Sequence, residues 1–459
     1  MRPLLADGAS RAIRYLEGLP DRRVAPVPEA LEHLGRFDGE LPDASDDPRA
    51  VLAMLDDVGS PASMAMAGPR FFGFVIGGAL PITVAANWLA TAWDQNTGIH
   101  RVTPFVAQLE QTALRWLVQL LGLPPGTGGA FVTGATVANF TALAAARQVV
   151  LARAGWDVEA DGLFGAPPIT VVVSAEQHPS VLKALGLLGL GRSRVVTVPV
   201  DGQGRMIATG LPRVDGPTIV CVQVGNVNTG SCDPVAAIAE QTRATGAWLH
   251  VDGAFGLWAS AAPARAHLTQ GAALADSWAT DAHKWLNVPY DCGIAFVRNP
   301  ADLQRAMSIS AAYLPMETAH RNPSDFTPEL SRRARGVDVW AALRTLGRAG
   351  VADLVERCCR HAERFATGLR DEGFEILNDV VLNQVLVAFG DAATTDRVVA
   401  AIQEDGTCWC GGTVWQGRPA VRISVSSWAT TERDVELSIA AIARGARSVG
   451  VANAARADV

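Results

Sequence analysis

Lysine is almost absent from this chain of 459 residues, whose 39 Lys and Arg residues include only two lysines, Lys183 and Lys284. A position that needs only positive charge is served by arginine, because the guanidinium group stays protonated. A lysine amine can also form an imine with an aldehyde, which arginine cannot do. Lys183 lies in a Leu-rich helical stretch and is interpreted as a surface residue. Lys284 is flanked by His283 and Trp285 in a mostly apolar stretch, which favours Schiff-base chemistry there.

Other absences exclude whole classes of protein. The net charge is −7 and no run of like charges occurs, so we expect no nucleic-acid partner. The seven cysteines are an odd number without repeated metal-ligand spacing, which argues against a disulfide framework and against a zinc site. The N-terminus lacks the apolar run of a secretory signal, so we expect a cytoplasmic protein.

Residues 73–93 carry no charge over a length that is sufficient to cross a membrane. The stretch nevertheless contains two adjacent glycines, a proline and an asparagine, and no basic residues flank it as an anchor would require. These features favour a loop followed by a buried helix. We therefore expect no membrane partner.

The hydrophobic pattern divides the chain into three regions. Residues 1–70, rich in Pro, Asp and Arg, predict an N-terminal helical arm. In residues 71–305, apolar β-branched runs alternate with helical stretches, which is typical of a mainly parallel sheet with helices on both faces. Residues 306–459 predict a smaller C-terminal α+β domain. The fold class is therefore α/β.

Polar side chains follow three of the predicted parallel strands. His178, Asn226 and Asp252 each come at or just after the end of a β-branched run. Ligands of parallel sheets bind at the carboxyl ends of the strands, so we expect these side chains to share a site. Singly, each has a simpler explanation: Asp252 as a helix cap, and His178 as a turn residue before a proline.

A further candidate is the stretch of small residues from Thr133 to Asn139, which leads into an Ala-rich helix. Such a turn exposes backbone N–H groups at the positive end of the helix dipole, where phosphate binds. The stretch lacks the glycine spacing of nucleotide-binding loops. A plain capped helix explains it equally well.

Together these features match the requirements of pyridoxal phosphate. This cofactor needs an imine-forming lysine, a carboxylate at its ring nitrogen, a phosphate cradle and a group that stacks on the ring. Lys284, Asp252, the turn at 134–136 and His178 offer these four parts in that order. An adjacent carboxylate favours the protonated ring nitrogen and so strengthens the ring as an electron sink.

The chain resembles the group II pyridoxal-phosphate decarboxylases, which include the aromatic amino acid and glutamate decarboxylases and have the fold type I of aspartate aminotransferase. The most specific motifs are His250-Val251-Asp252, Ala275-Asp276-Ser277 leading to His283-Lys284-Trp285, and Asn228-Thr229-Gly230. The resemblance implies that Lys284 carries the cofactor, Asp252 pairs with its ring nitrogen and His178 stacks on one face. Further cofactor contacts are expected from Ala135, Thr136, Asn226, Ala254 and His283.

The resemblance implies decarboxylation of an L-amino acid, a small-molecule substrate, through an external aldimine and a quinonoid, in a homodimer. Transamination, retro-aldol cleavage and decarboxylation-dependent oxidative deamination on the same scaffold remain alternatives. A non-catalytic paralogue is a further alternative, against which the complete set of Lys284, Asp252 and His178 argues. Substrate contacts are predicted at Phe72, Thr103 and Arg422, although core packing explains Phe72 and a surface role explains Arg422 equally well.

Two positions depart from the family pattern. Asp281 stands where the aromatic decarboxylases tend to have Asn, which places an acid near the phosphate. The family's mobile loop, which we place at residues 314–330, usually supplies a Tyr that returns a proton to the substrate carbon, and this segment has none. Phe326 has no proton to give, so we expect either amine formation through His320 or an aldehyde by-product with oxygen uptake. A solvated loop histidine explains His320 equally well.

Overall fold

The protein is described here by a computed structural model over residues 1–213, 215–309 and 320–451. The chain divides into two compact units. Unit 1 comprises Met1–Ile76, His361–Leu377 and Val385–Val459, and unit 2 comprises Gly77–Arg360 and Asn378–Gln384. This division groups the predicted N-terminal arm with most of the predicted C-terminal domain, and unit 2 extends well past residue 305.

The helices, in chain order, are α1 Arg2–Gly18, α2 Pro28–Glu32, α3 Pro48–Met54, α4 Ser60–Ala62, α5 Pro81–Trp93, α6 Pro104–Leu120, α7 Ala135–Arg153, α8 Val158–Asp161, α9 Pro179–Leu187, α10 Val235–Thr245, α11 Pro300–Met307, α12 Gly336–Asp371, α13 Ala392–Asp405 and α14 Glu432–Ser448. Helix α12 is interrupted at Gly347, where the backbone leaves helical geometry with φ at 60°. Many of these helices begin with proline, which fixes φ near the helical value and lacks the N–H that a first turn leaves unpaired.

Unit 2 is built on a seven-stranded sheet with the order β1-β7-β6-β5-β4-β2-β3. Its strands are β1 Gly128–Val132, β2 Thr170–Ser174, β3 Val196–Val198, β4 Thr218–Gln223, β5 Trp248–Asp252, β6 Ser277–Asp281 and β7 Gly293–Val297. Strands β3, β2, β4, β5 and β6 are parallel neighbours, and β7 runs antiparallel to both β1 and β6. The predicted mainly parallel α/β sheet is confirmed.

The sequence pattern missed strands β1 and β6. Strand β6 reads Ser-Trp-Ala-Thr-Asp, a mixed pattern with one large apolar residue, although all five residues are buried. Strand β1 begins with two glycines, which have low strand propensity. Strand β6 is paired on both sides, with β5 and β7, and the edge strand β1 pairs with β7; a local pattern does not record these pairings.

Helix α7 covers one face of this sheet, and most of its residues are buried. Within the described ranges, α7 is the helix with the length and hydropathy of a membrane span, but 72% of the apolar window is buried inside the protein. Its alanines allow close approach to the strands, and Leu143 and Val150 join the core formed with Val171 of β2 and Ile219 of β4. The helix therefore has the packing of a core element.

Helix α5 differs from the prediction for residues 73–93. A loop and then a helix are present, as expected, but the helix is largely exposed and buries only Thr83 and Ala86 among its residues. Leu89 is 54% exposed and Trp88 is 41% exposed. The prediction of a buried helix is therefore wrong, because the described chain covers only one narrow face of α5.

Unit 1 contains a four-stranded sheet with the order β10-β11-β9-β8. The strands are β8 Glu375–Ile376, β9 Gln384–Ala388, β10 Gly411–Trp415 and β11 Arg418–Ser424. Helix α14 begins with a capping box in which Thr431 and Asp434 bond each other's backbone N–H groups. Asp434 also pairs with the buried Arg70 at 2.8 Å, so Arg70 has a structural partner within this unit.

Candidate active site

The predicted site residues lie where neighbouring strands end. Asp252 is the last residue of β5, and Asp281 is the last residue of the adjacent parallel strand β6. His178 directly precedes helix α9 after β2, and Asn226 follows β4. Because the carboxyl ends of parallel strands meet at one edge, these residues lie along the same edge of the sheet. The amide oxygen of Asn226 accepts the backbone N–H groups of Asn228 and Thr229, so its contact with a cofactor stays a prediction.

Asp252 is buried, with 4% of its surface exposed. Its carboxylate accepts hydrogen bonds from the amide of Asn139 at 3.3 Å, the hydroxyl of Ser180 at 3.5 Å and the backbone N–H of Ala254 at 3.3 Å. Burial raises the pKa of Asp252, while the nearby His178 and Lys284 act to lower it. Asp252 is therefore a deeply placed carboxylate whose two positive neighbours favour its anionic form.

His178 is held in a fixed orientation at the start of α9. Its Nδ1 accepts the backbone N–H of Ser180 at 3.2 Å, and its own backbone N–H donates to Oε1 of Gln223 at 3.1 Å. Pro179 occupies the first helical position, which is where proline is tolerated. The imidazole thus caps helix α9 and also lies near Asp252. This position is compatible with both explanations of His178, as a turn residue and as a residue of the site.

Lys284 lies in the connection between β6 and β7. Its Nζ is 3.0 Å from Oδ2 of Asp281, and 18% of its side chain is exposed. The ring of neighbouring His283 accepts the backbone N–H of Cys292 on Nδ1 at 3.0 Å, which places its proton on Nε2. That nitrogen is 3.7 Å from Asp281. Burial lowers the pKa of His283, which favours the neutral ring.

The start of α7 offers the predicted cradle. A Cβ placed on Gly134 would lie 3.3 Å from the ring of His283 and 3.7 Å from Oδ1 of Asp281. That Asp281 oxygen is buried and has no hydrogen-bond partner among the described residues. Ala135 and Thr136 form the first turn of α7, where unpaired N–H groups favour an anion. The unpaired carboxylate oxygen of Asp281 needs a donor, whereas the N–H groups of the α7 start favour an anion, so a phosphate contact at Ala135 and Thr136 stays a prediction.

The three predicted substrate residues have other partners. Phe72 is 1% exposed and its ring packs edge-on against Phe365, 5.0 Å away, in unit 1. Thr103 is buried at the start of α6, and its hydroxyl donates to the carbonyl of Ile99 at 3.2 Å. Arg422 lies on β11 in unit 1, opposite Gly411. Packing accounts for Phe72 and the hydrogen bond to Ile99 accounts for Thr103, and a substrate contact by any of the three stays a prediction.

The described part of the predicted mobile loop, residues 320–330, is packed. Phe326 is 7% exposed and lies under the guanidinium of Arg321, 3.9 Å from its ring centre, and the hydroxyl of Ser324 donates to the carbonyl of Gly98. Phe326 is thus packed in this structure, and the mobility of the loop stays a prediction. His320 is exposed and stacks on His100, with 4.1 Å between the rings. Residues 314–319 of that loop lie outside the described residues.

Sequence reasoning missed the polar groups behind Asp252. Asn139 and Ser180 contact its carboxylate, and His250 lies behind Asn139 with 2.8 Å between the ring Nε2 and the amide oxygen. One signal was available for His250. It lies two residues before Asp252 in β5, and alternate residues of a strand face the same side of the sheet.

Comparison with known proteins gives the family. Residues 28–390 match the family model described as the pyridoxal-dependent decarboxylase conserved domain. The chain belongs to this family. The predicted resemblance is confirmed, and with it the cofactor, pyridoxal phosphate, and the reaction class, decarboxylation.

Two relatives and one solved structure illustrate the range of the family. The aromatic-L-amino-acid decarboxylase of Bacillus atrophaeus is 27% identical over 467 residues, covering 95% of this chain and 94% of the relative. The acidic amino acid decarboxylase GADL1 of Bos taurus is 31% identical over 366 residues, covering 76% of this chain and 68% of the relative. The crystal structure of Oryza sativa TDC with PLP and tryptamine has a TM-score of 0.88 at 23% identity, covering 97% of each chain. The predicted fold type I is confirmed.

Proposed function

We propose that this decarboxylase acts on an L-amino acid, with Lys284 as the residue that holds the cofactor, Asp252 at its ring nitrogen and His178 on one ring face. The observation that carries the proposal is the position of three groups at the carboxyl edge of the sheet: the buried carboxylate of Asp252 at the end of β5, the amine of Lys284 beside Asp281 at the end of β6, and His178 at the start of α9. When bound, pyridoxal phosphate supplies an electron sink for the pair left by departing carbon dioxide.

The described residues supply the surroundings that this chemistry needs. Asp281 holds the amine of Lys284 by an ion pair at 3.0 Å, close to the α7 start where a phosphate fits. The buried carboxylate of Asp252 favours a protonated group opposite it, because an adjacent anion stabilises a cation more strongly away from water. His178 is fixed by its helix cap, so its ring needs little reorganisation to stack.

A panel of amino acids tests the proposed reaction. The relatives are named for aromatic and for acidic amino acids, so the panel contains both classes together with basic and small ones. Purified enzyme with added cofactor should release carbon dioxide from at least one class, and Lys284→Ala should release none. Absence of release from every amino acid, with a cofactor spectrum that no amino acid changes, would contradict the proposal and favour a non-catalytic paralogue.

We further propose His320 as the group that returns a proton to the substrate carbon. It is exposed beside His100, whereas Phe326 is packed away under Arg321. His320→Ala should lower amine output and raise aldehyde and oxygen uptake, because a carbanion without a donor persists longer. Tyr313 directly precedes the predicted loop, lies outside the described residues and carries a phenol. If Tyr313→Phe has this effect and His320→Ala does not, His320 is not the donor.

We propose a homodimer because α5 and the start of α6 expose large apolar side chains together. These are Trp88, Leu89, Trp93, Val102 and Phe105. The rings of Trp93 and Phe105 touch edge-on at 5.4 Å, so the side chains form one patch, which in a monomer would remain in water.

Light scattering tests this state. The active enzyme should have twice the chain mass of 48.3 kDa, and Leu89→Glu should shift it towards the monomer. Leu187→Glu serves as the matched control, since Leu187 is also exposed but lies on α9 outside the patch. A stable, active monomer in the parent protein would overturn the proposal.

A further inference from the structure

A buried histidine behind the site has no part in the proposed chemistry. His250 lies in the middle of β5, two residues before Asp252, and none of its surface is exposed. Burial lowers the pKa of His250 to about 3, so its ring is neutral at working pH. A neutral imidazole has one N–H donor and one acceptor nitrogen, so the location of its proton determines which neighbours it serves.

The hydrogen bonds on the Nδ1 side of His250 identify that nitrogen as the acceptor. The indole N–H of Trp248, which can only donate, points to Oγ of Ser277 at 2.8 Å. The same Oγ is 2.8 Å from Nδ1 of His250. If Nδ1 carried the proton, the hydroxyl would receive two N–H groups, and its own buried proton would lack an acceptor, which costs free energy. Ser277 therefore donates to Nδ1.

The other end of the chain of hydrogen bonds gives the same direction. A carboxylate only accepts, so Asn139 must turn its amide nitrogen towards Asp252, which lies 3.3 Å away. The amide oxygen of Asn139 then faces Nε2 of His250 at 2.8 Å and needs a donor there. Both ends thus require the proton of His250 on Nε2. Asn139 and His250 are both fully buried, so no water competes for these bonds.

We propose that Ser277, His250 and Asn139 form a one-way chain of hydrogen bonds that ends on Asp252 and fixes its carboxylate as the anionic partner of the cofactor's ring nitrogen. This inference rests on the role of Asp252 in the proposed function. The three residues act as positioning residues, since none of them is placed at the cofactor. Successive hydrogen bonds polarise one another, so the N–H that Asn139 presents is a better donor than an isolated amide.

Loss of the histidine weakens the last bond. The amide nitrogen of Asn139 still faces Asp252, because a carboxylate only accepts, but the amide oxygen loses the donor at Nε2 that fixes and polarises it. A carboxylate with a weaker donor takes a proton more readily from its partner. We therefore expect the protonation constant of the bound ring nitrogen to fall at least tenfold in His250→Leu, with a lower kcat and a KM within about threefold of the parent.

Nitrogen NMR measures the chain of hydrogen bonds without relying on activity. In the cofactor-free parent, the ring nitrogens of His250 should show the neutral form protonated at Nε2 throughout pH 5–9. In holoenzyme carrying cofactor labelled with ¹⁵N at the ring, the nitrogen should be protonated in the parent and less so in His250→Leu. His250→Gln retains a donor group and an acceptor group, and it should restore most of the protonation of the ring nitrogen. Gln148→Leu removes a buried amide from the same helix α7 and should change neither signal.

Each outcome supports or contradicts one part of the inference. A proton on Nδ1 of His250 in the parent overturns the inference by itself, whatever the cofactor does. If His250→Leu does not fold, Ser277→Ala replaces it. The inference then requires the His250 proton to stay on Nε2, where Asn139 accepts it, and the protonation of the ring nitrogen to fall by less than is expected for His250→Leu. Unchanged ring-nitrogen protonation in folded His250→Leu also overturns it. If Asp252→Asn too leaves that protonation unchanged, the role of Asp252 in the proposed function fails as well.

Discussion

Replacing Asp252 by asparagine removes one charge from the proposed site with almost no change in shape. The carboxylate is 4% exposed and accepts from Asn139, Ser180 and the N–H of Ala254. A preorganised electrostatic group of this kind is worth about 10²–10³ in rate, or about 2.7–4 kcal/mol. We therefore expect Asp252→Asn to lower kcat at least about 100-fold, while Lys284 and the α7 start still retain the cofactor.

The stability of the same variant should move in the opposite direction. Burial raises the pKa of Asp252 in the folded state. A carboxyl group with a raised folded pKa makes the protein less stable as pH rises above the unfolded value, because the folded state must give up a proton that it binds more tightly. The neutral amide does not carry this cost at pH 7. Asp252→Asn should therefore unfold at the same or a higher temperature than the parent.

The assay combines carbon dioxide release, cofactor titration and thermal unfolding on one preparation. Asp233→Asn is the matched control, because Asp233 is also 4% exposed but accepts from the backbone N–H groups of Met206 and Gln223. Burial raises the pKa of Asp233 to about 6, so by the same reasoning Asp233→Asn should not lose stability at pH 7, and it should keep its rate. Near-parent turnover in Asp252→Asn would show that the carboxylate only caps the N–H of Ala254.

Three further changes test other parts of the structure. Lys284→Ala should abolish the covalent link to the cofactor, and borohydride reduction with peptide mapping should label Lys284 in the parent; a labelled Lys183 would contradict the assignment. Glu110→Gln should lower the free energy of unfolding by about 3–5 kcal/mol, because it leaves the fully buried Arg332, bonded at 2.8 Å, without its anion. Urea unfolding measures this, and an unchanged urea midpoint would refute it. Burial raises the pKa of Asp338 to about 6, so Asp338→Asn should stabilise the protein by about 1–3 kcal/mol at pH 7 but not at pH 4. An equal gain in stability at pH 7 and at pH 4 would contradict this prediction.

The parts of the fold that the sequence predicted are those with a strong local pattern. Strands β2, β4 and β5 are continuous apolar runs, and their ends located Asp252, His178 and Asn226 correctly. Lys284 was identifiable from composition alone, because the chain uses arginine almost everywhere else. Strand β6 was not predicted, since only its neighbours β5 and β7 make it a strand.

Partners that come from distant parts of the chain were not predictable from a local pattern. Phe326 was assigned to the loop from the family resemblance, and the sequence does not show that Arg321 covers its ring or that Ser324 bonds to Gly98. The carboxylate of Glu110 is fully buried against Arg332, which is 222 residues away in sequence.

The cost of burying polar groups is concentrated at the ends of two adjacent strands. On β5, burial opposes the charged forms of both His250 and Asp252, and on β6 the oxygen Oδ1 of Asp281 is buried without a partner. By contrast, the buried carboxylate of Glu110 is matched by Arg332 at 2.8 Å. Groups that lower stability in this way are retained where a site needs an unpaired charge or an open acceptor. If that account is correct, Asp252→Asn should impair cofactor chemistry without a loss of stability, whereas Glu110→Gln should lower stability.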